Sequence, residues 1–275
     1  MQHQFTRKDI IVNDGFINDC AQMYVSQRTQ CVTAISNMST FLFTTTGFNT
    51  EDLRKIIVRN VIAEDAQRDG GTNPAILNDI YRSDLGELLM TKYFEHDIED
   101  EKKFIIPLKN ITFRELSHLP GRGLDAIGYR VEGVTIHLLL GEAKVSSSSQ
   151  SPPSVVDRSE DSMFKTQLNR VSDKKAIVQK LSDYARRLNS NDAMIMALAI
   201  LSIEKDLNNH TINFGCTLIR DYVCVNETND YGKLKTDVSQ FGNHSVLFAL
   251  ISFTGKTIAE TVDLFYSKVK ELAVA

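Results

Sequence analysis

The chain has 275 residues, of which 42% are hydrophobic and 24% are charged, and its formal net charge is −4. This apolar content is enough to bury a sizeable core, so a disordered chain is excluded and one large or two small domains are expected. The acidic balance argues against an architectural DNA-binding protein, and the four scattered cysteines, without a CxxC pair, argue against a zinc site. The N-terminal stretch MQHQFTRKDI lacks the apolar core of a signal peptide, and no apolar run is long enough to span a bilayer. We therefore expect a cytoplasmic protein with no membrane partner.

The first 75 residues predict an N-terminal α/β lobe. Two short pieces, CVTAISN and TFLFTTT, are typical of strands. A helix is predicted from Glu51 and ends at the breaker DGGTNP. A second helix is predicted from about Ser83, in SDLGELLMTKYF, and it is followed by an acidic stretch and the strand FIIPLK.

The rest of the chain alternates strands and helices. GRGLDAIGYRVEGVTIHLLLGEAK, residues 121–144, predicts a hairpin of two buried strands, and the serine-rich loop SSSSQSPPS follows it. One amphipathic helix is predicted over residues 164–188, and its exposed side is basic. The apolar helix NDAMIMALAILSIE, two further strands and a C-terminal helix complete the chain. This order predicts an α/β fold.

The hairpin contains three ionisable residues where buried strands are normally apolar: Asp125, Glu142 and Lys144. Unpaired charges in such strands are costly, so these residues need a partner or a function. If the turn is at Glu132 and Gly133, Asp125 faces Leu140, and the period of two places all three side chains on one face. Asp125 and Glu142 are then diagonal neighbours roughly 7 Å apart, close enough to share one cation.

Two converging carboxylates repel each other unless a cation such as Mg²⁺ or Mn²⁺ lies between them. Such an ion would lower the pKa of a bound water and neutralise charge on a scissile phosphate. Lys144 would orient the water or stabilise the pentavalent transition state. The pattern therefore predicts metal-dependent phosphodiester hydrolysis, although a structural ion pair at a strand end would explain the same residues.

Asp125, followed by Glu142-Ala143-Lys144 at the end of an apolar strand, resembles the PD-(D/E)xK nuclease motif, with LDAIGY in place of the literal Pro-Asp. The resemblance implies a restriction-endonuclease-like α/β core, a mixed sheet flanked by helices. Residues 76–275 would form this nuclease domain, and residues 1–75 would be an N-terminal α/β extension.

The same resemblance implies further site residues on two helices. An upstream helix often adds an acid, which points to Glu87 as a third metal ligand. A polar residue on the helix after the motif points to Gln167 or Lys165. A different explanation for Glu87 is an acidic residue in the first helical turn, favoured there by the helix dipole.

Three stretches together, SDLGELLMTKYF, GRGLDAIGY and LLLGEAKVS, resemble the HamA family, the nuclease subunit of the Hachiman anti-phage defence system. The resemblance covers roughly residues 80–270. It implies a partner, the superfamily 2 helicase HamB, which holds the nuclease in check until damaged or invading DNA is engaged. We expect part of the helicase contact in residues 1–75.

We therefore expect a Mg²⁺- or Mn²⁺-dependent deoxyribonuclease that serves as the effector of an anti-phage complex. Asp125, Glu142 and Glu87 would hold the metal, and Lys144 would complete the catalytic set. The alternatives are a catalytically inactive nuclease-fold subunit that binds DNA or scaffolds and regulates the helicase, and an α/β module with no nucleic-acid role. The basic segment 165–187 would track phosphates or be a plain solvated face, and Arg122 would reach a phosphate or only shape its turn.

Overall fold

The computed structural model describes residues 3–29, 47, 50–62, 74–113 and 124–274. The predicted strands CVTAISN and TFLFTTT, and Arg122, lie outside these residues. Within them the protein is mixed α/β, with one sheet that carries helices on both faces. None of the helices in these ranges combines the length and the apolar character that crossing a membrane requires.

In the described residues the sheet has six strands in the order β1-β6-β5-β4-β3-β2. Strands β1, β6, β5 and β4 are parallel, β3 pairs antiparallel with β4, and β2 pairs antiparallel with β3. The central strands are almost continuously apolar because helices cover both of their faces. The strands are β1 (Gln4–Ile11), β2 (Ile105–Lys109), β3 (Ala126–Glu132), β4 (Thr135–Ser146), β5 (His210–Asp221) and β6 (Ser245–Thr254).

The helices divide between two cores, one on each face of the sheet. Helices α1, α3 and α10 pack on the face that carries Leu139 and Ile219, and helices α6, α7 and α8 pack on the face that carries Leu140 and Leu218. The helices are α1 (Asp14–Arg28), α2 (Thr50–Ile62), α3 (Pro74–Lys92), α4 (Asn110–Phe113), α5 (Ser154–Asp157), α6 (Met163–Ser172), α7 (Lys174–Ala185), α8 (Ser190–Glu204), α9 (Lys233–Thr236) and α10 (Ile258–Val274).

The N-terminal residues join the same sheet as the later elements. Strand β1 pairs with β6 along its whole length, and α1 packs on α10, where the rings of Tyr24 and Phe265 lie 5.5 Å apart. The described elements on either side of residue 75 share one core. The division into an N-terminal lobe (1–75) and a nuclease domain (76–275) stays a prediction.

Most elements of the second half agree with the sequence prediction, but the basic helix does not. The predicted hairpin, the apolar helix, the two later strands and the C-terminal helix are confirmed as β3–β4, α8, β5, β6 and α10. The single helix predicted over residues 164–188 is wrong, because two helices, α6 and α7, meet at Asp173. Its side chain accepts a hydrogen bond from the N–H of Ala176 (2.8 Å) and caps α7. Helix α6 packs on β4, whereas α7 packs on α8.

Candidate active site

The β3–β4 hairpin turns at Gly133 and Val134, one residue later than predicted. Gly133 has a φ of +59°, which glycine adopts without strain, and glycine is favoured as the first residue of a two-residue hairpin loop. Ile127 therefore pairs with Leu140, and the predicted pairing of Asp125 with Leu140 is wrong. The register differs by two residues, which preserves the face of each side chain because alternation has a period of two.

Asp125 immediately precedes β3 and is fixed against β4. Its backbone N–H donates to the carbonyl of Gly141 (3.2 Å), and its Oδ2 accepts a hydrogen bond from the N–H of Ala143 (2.7 Å). Continuing the β3–β4 register by one residue places Asp125 beside Glu142. The two acids are therefore direct neighbours across the hairpin rather than diagonal ones.

The proximity of the two acids changes their electrostatics. Burial and the charge of Glu142 raise the pKa of Asp125 to about 7. The N–H of Ala143 and the cations Lys144 and Arg170 act in the opposite direction and offset only part of this increase. The charge of Glu142 opposes ionisation of Asp125 because a like charge nearby disfavours the charged form. A divalent cation would remove that repulsion.

The oxygen donors at this position fit a hard cation. Magnesium commonly binds proteins through one or two carboxylates and keeps several waters, so Asp125 and Glu142 suffice as protein ligands. Over the ranges that the structure describes, no group of three or more His, Cys, Asp and Glu side chains is arranged to hold a metal ion. A metal here would therefore complete its shell with water and phosphate oxygens.

Lys144 lies on the same face and pairs with two acids. Its Nζ is 3.3 Å from Oε1 of Glu142 and 3.4 Å from Oδ2 of Asp161. Burial alone would lower the pKa of Lys144, but the charges of Glu142 and Asp161 outweigh it, so this pKa is raised. In turn, the charge of Lys144 lowers the pKa of Asp161. Lys144 is therefore held as a cation beside the acids.

Arg170 of α6 joins the cluster, and the sequence analysis did not identify it. Its Nη2 donates to Oε2 of Glu142 (2.9 Å), and its Nη1 donates to Oε1 of Gln167 (2.8 Å). Gln167 is fully buried, and its Nε2 donates to the carbonyls of Leu140 (3.2 Å) and Gly215 (3.5 Å). The signal that could have identified Arg170 is its position one helical turn after Gln167, on the same helix face.

Glu87 lies in α3 and reaches the site through Asn110, a second residue that the sequence analysis missed. Asn110 Nδ2 donates to Oε1 of Glu87 (3.0 Å), and the backbone N–H of Asn110 donates to the carbonyl of Asp125 (2.9 Å). Helix α3 begins at Pro74, a favoured first helical residue. Glu87 is therefore in the helix interior, and its explanation as a first-turn acid is wrong. Its role as a metal ligand stays a prediction.

Two other polar residues of α6 and α7 differ in their relation to the acids. Lys165 pairs with Glu160 (3.2 Å), an exposed residue that precedes α6. Tyr184 lies near the acids: burial is the main cause that raises its pKa, and the charges of Asp125 and Glu87 add to it. Of the two residues predicted on the helix after the motif, Gln167 therefore contacts the cluster through Arg170, whereas Lys165 pairs elsewhere.

These observations define a class of protein: a mixed-sheet α/β protein in which a buried hairpin brings two acids and a lysine together on one face, and a helix that packs there adds an arginine. The HamA family model matches residues 38–269. The chain therefore belongs to the HamA family, and this membership implies a component of the Hachiman defence system. A search of curated proteins returned no match.

Proposed function

We propose that this chain is a Mg²⁺- or Mn²⁺-dependent deoxyribonuclease with a PD-(D/E)xK core, and that it is the effector subunit of a Hachiman complex. The observation that carries the proposal is the pair of neighbouring acids, Asp125 and Glu142, with Lys144 beside them. The order of elements supports the proposed core: Asp125 precedes β3, the Glu-Ala-Lys triplet lies in β4, and α6 and the parallel strand β5 follow.

Asp125 and Glu142 would hold the metal, with Glu87 as the proposed third acid behind Asn110. When bound, Mg²⁺ supplies a water of lowered pKa and charge that offsets the phosphate. The protein's contribution is to fix the acids before substrate arrives. The N–H of Ala143 orients the carboxylate of Asp125, and before a metal is present Arg170 holds that of Glu142.

Lys144 would act on the scissile phosphate. Its side chain is 19% exposed and its ammonium group lies beside Glu142, so it can meet developing negative charge without reorganising. Its other partner, Asp161, is 80% exposed. A phosphate oxygen can therefore replace Asp161 at Lys144 at little cost, because exposed ion pairs contribute little free energy.

DNA delivery is the proposed role of the helicase partner. The chain is acidic overall, and cations of the basic segment 165–187 pair with nearby acids, as Lys174 does with Asp206 and Arg187 with Asp183. These pairs weaken the attraction of that segment for phosphates. A helicase that presents the DNA strand would supply the affinity that this chain lacks.

A second candidate is an inactive nuclease-fold subunit that binds DNA or scaffolds and regulates the helicase. The observation that favours it is that Arg170 and Lys144 already neutralise Glu142, as in a structural ion network. The two candidates differ in what Lys144→Ala does. The enzyme loses cleavage and defence together, whereas the scaffold keeps defence.

The experiment that tests the proposal is cleavage of supercoiled plasmid by the purified chain with Mg²⁺, Mn²⁺ or EDTA. Wild type is compared with Glu142→Ala and Lys144→Ala. The matched controls are Glu160→Ala and Lys165→Ala, because these exposed residues form an ion pair with each other outside the acid cluster. All variants are checked for folding by circular dichroism.

Metal-dependent cleavage that both cluster variants lose and both control variants keep would support the enzyme. If the wild type is silent alone, the assay is repeated with the co-expressed helicase. Equal defence in cells by wild type and both cluster variants, without cleavage, would support the scaffold instead.

The helicase contact is tested separately by co-purification. Ile11 ends β1 and is 72% exposed, so it is a candidate contact within residues 1–75. Ile11→Glu should reduce recovery of the helicase and leave the fold intact. Exposed Leu207 serves as the control, and Leu207→Glu should leave recovery unchanged. Equal recovery with both variants would place the contact elsewhere.

A further inference from the structure

Both oxygens of the Glu142 carboxylate face a cation of the protein itself. Oε2 accepts a hydrogen bond from Arg170 at 2.9 Å, and Oε1 is 3.3 Å from Nζ of Lys144. The bond from Arg170 is the shorter of the two contacts, and the side chain of Arg170 is only 16% exposed. A metal ion that binds Glu142 must therefore compete with a cation already in place.

Arg170 is held in this position by hydrogen bonds that run through Gln167 to the sheet, and these bonds together are called the strut. Its second guanidinium nitrogen donates to Gln167, and Gln167 donates to the carbonyls of Leu140 in β4 and Gly215 in β5. Gln167 and the two carbonyls are buried, so breaking these hydrogen bonds costs free energy. The guanidinium is therefore held beside Glu142 by the hydrogen bonds of Gln167 and is not a mobile surface cation.

The charges around the acids nearly balance without a metal. Asp125, Glu142 and the exposed Asp161 supply three negative charges when ionised, and Lys144 and Arg170 supply two positive charges. A divalent ion would leave this group of side chains with an excess of one positive charge. That excess matches the negative charge of a DNA backbone, which has one charge per phosphate.

We propose that Arg170 is an internal counter-ion of Glu142 that competes with the catalytic metal, so that metal and DNA load together. This inference rests on the proposed nuclease function and adds a positioning residue to it. When a metal binds Glu142, the guanidinium is released and takes a phosphate oxygen of the DNA as its new partner. Without DNA the released guanidinium lacks an anion, and metal binding is correspondingly weak.

The experiment that tests this proposal is titration of the full chain with Mg²⁺ and with Mn²⁺ by isothermal calorimetry, without DNA. Arg170→Gln should bind the metal about tenfold more tightly than wild type, because the charge-assisted bond to Glu142 no longer has to be broken. Lys165→Gln is the matched control. It removes one positive charge from the same helix but leaves Glu142 and its partners intact, and its affinity should equal that of wild type.

A conservative variant keeps the test valid if Arg170→Gln does not fold. Arg170→Lys retains a cation beside Glu142 but cannot bond Glu142 and Gln167 at once, because an ammonium lacks the fork of a guanidinium. Its metal affinity should lie between those of wild type and Arg170→Gln. This ordering is not expected if Arg170 only stabilises the fold.

The outcomes separate this inference from the proposed function. If wild type binds metal and Glu142→Gln does not, but the Arg170 variants bind no more tightly than wild type, the competition is refuted and the nuclease proposal stands. If wild type and every variant bind no metal, with or without DNA, the nuclease proposal fails and the inference fails with it. Tighter binding by Arg170→Gln, with Lys165→Gln unchanged, supports both.

Discussion

Two charged clusters lie on the same face of the sheet, on the neighbouring strands β4 and β5. They differ in solvent exposure: one is a fully buried, closed pair, and the other is an open cluster that reaches the solvent. The first is the pair of Arg220 and Asp230, both with fully buried side chains. Arg220 also donates to the carbonyls of Gln150 (3.1 Å) and Cys224 (2.6 Å), and Asp230 accepts a hydrogen bond from the hydroxyl of Ser151 (2.6 Å). This closed pair fastens the serine-rich loop to the end of β5.

The second is the cluster around Glu142, in which two acids lie side by side. The exposed fraction of the side chains rises outward, from 8% for Glu142 to 16% for Arg170, 19% for Lys144 and 80% for Asp161. Each cation here therefore has a route to solvent. In the closed pair, neither Arg220 nor Asp230 has one.

This contrast distinguishes a structural ion pair from a candidate catalytic site within one protein. In the closed pair one cation meets one anion, and two backbone carbonyls accept hydrogen bonds from Nη2 of Arg220. In the open cluster around Glu142, burial and the adjacent charge of Glu142 raise the pKa of Asp125, and the cations can exchange partners with an incoming phosphate. Four predictions test this contrast.

The largest effect on stability is expected in the closed pair. Arg220→Ala leaves Asp230 buried without its cation and should lower the free energy of unfolding by about 3–5 kcal/mol. Urea denaturation measures this change. The double variant Arg220→Met, Asp230→Leu should recover most of the loss, because it buries no charge. A change below 1 kcal/mol in the single variant would mean that the pair contributes little to stability.

In the open cluster, a substitution should change the rate of cleavage more than the stability. Lys144→Ala should slow single-turnover cleavage by about 100- to 1,000-fold, the usual effect of losing one group that stabilises transition-state charge. Its urea midpoint should change less than that of Arg220→Ala, since Lys144 is partly exposed. If Lys144→Ala lost as much stability as Arg220→Ala and kept cleavage, the open cluster would be structural too.

An intermediate effect is expected at the strut between α6 and the sheet. Gln167→Leu removes the buried bonds to Leu140 and Gly215 and leaves Arg170 without its second partner. We expect a loss of about 1–3 kcal/mol in the free energy of unfolding, measured by urea denaturation. Asn169→Leu is a control on the exposed side of the same helix. Equal losses in both variants would contradict a specific role of the strut.

A fourth prediction concerns the pH dependence of the metal-free protein. The pKa of Asp125 is about 7 in the folded chain, above its ordinary value of 3.8, so the folded state holds the proton more tightly. The resulting stabilisation is complete below about pH 4 and is lost as the pH rises through about 7. In EDTA, wild type should therefore lose stability relative to Asp125→Asn across this window.

Urea midpoints of both proteins at pH 4 to 8 measure this effect, and Mg²⁺ should restore wild-type stability at pH 8. A constant difference between the two proteins across the window would show that Asp125 titrates normally.

Local patterns predicted a large part of this protein. The period of two along residues 121–144 placed Asp125, Glu142 and Lys144 on one face, and this held although the turn lies one residue later than predicted. Strands β5 and β6 and helices α8 and α10 followed from apolar runs and helical spacing. Alternation and helical periodicity depend on neighbours in the chain, so a sequence carries them directly.

The partners of these residues depended on the tertiary structure. Arg170 reaches Glu142 only because Asp173 ends α6 and lets it pack on β4, and Asn110 links Glu87 to Asp125 only because β2 ends beside the hairpin. Sequence alone determined the α/β class, the acids and lysine of one strand face, and the resemblance to the HamA family. Which cations neutralise those acids, and which ion pair is closed, was decided by packing between distant segments, because a charge interacts with whatever the fold brings within a few ångströms of it.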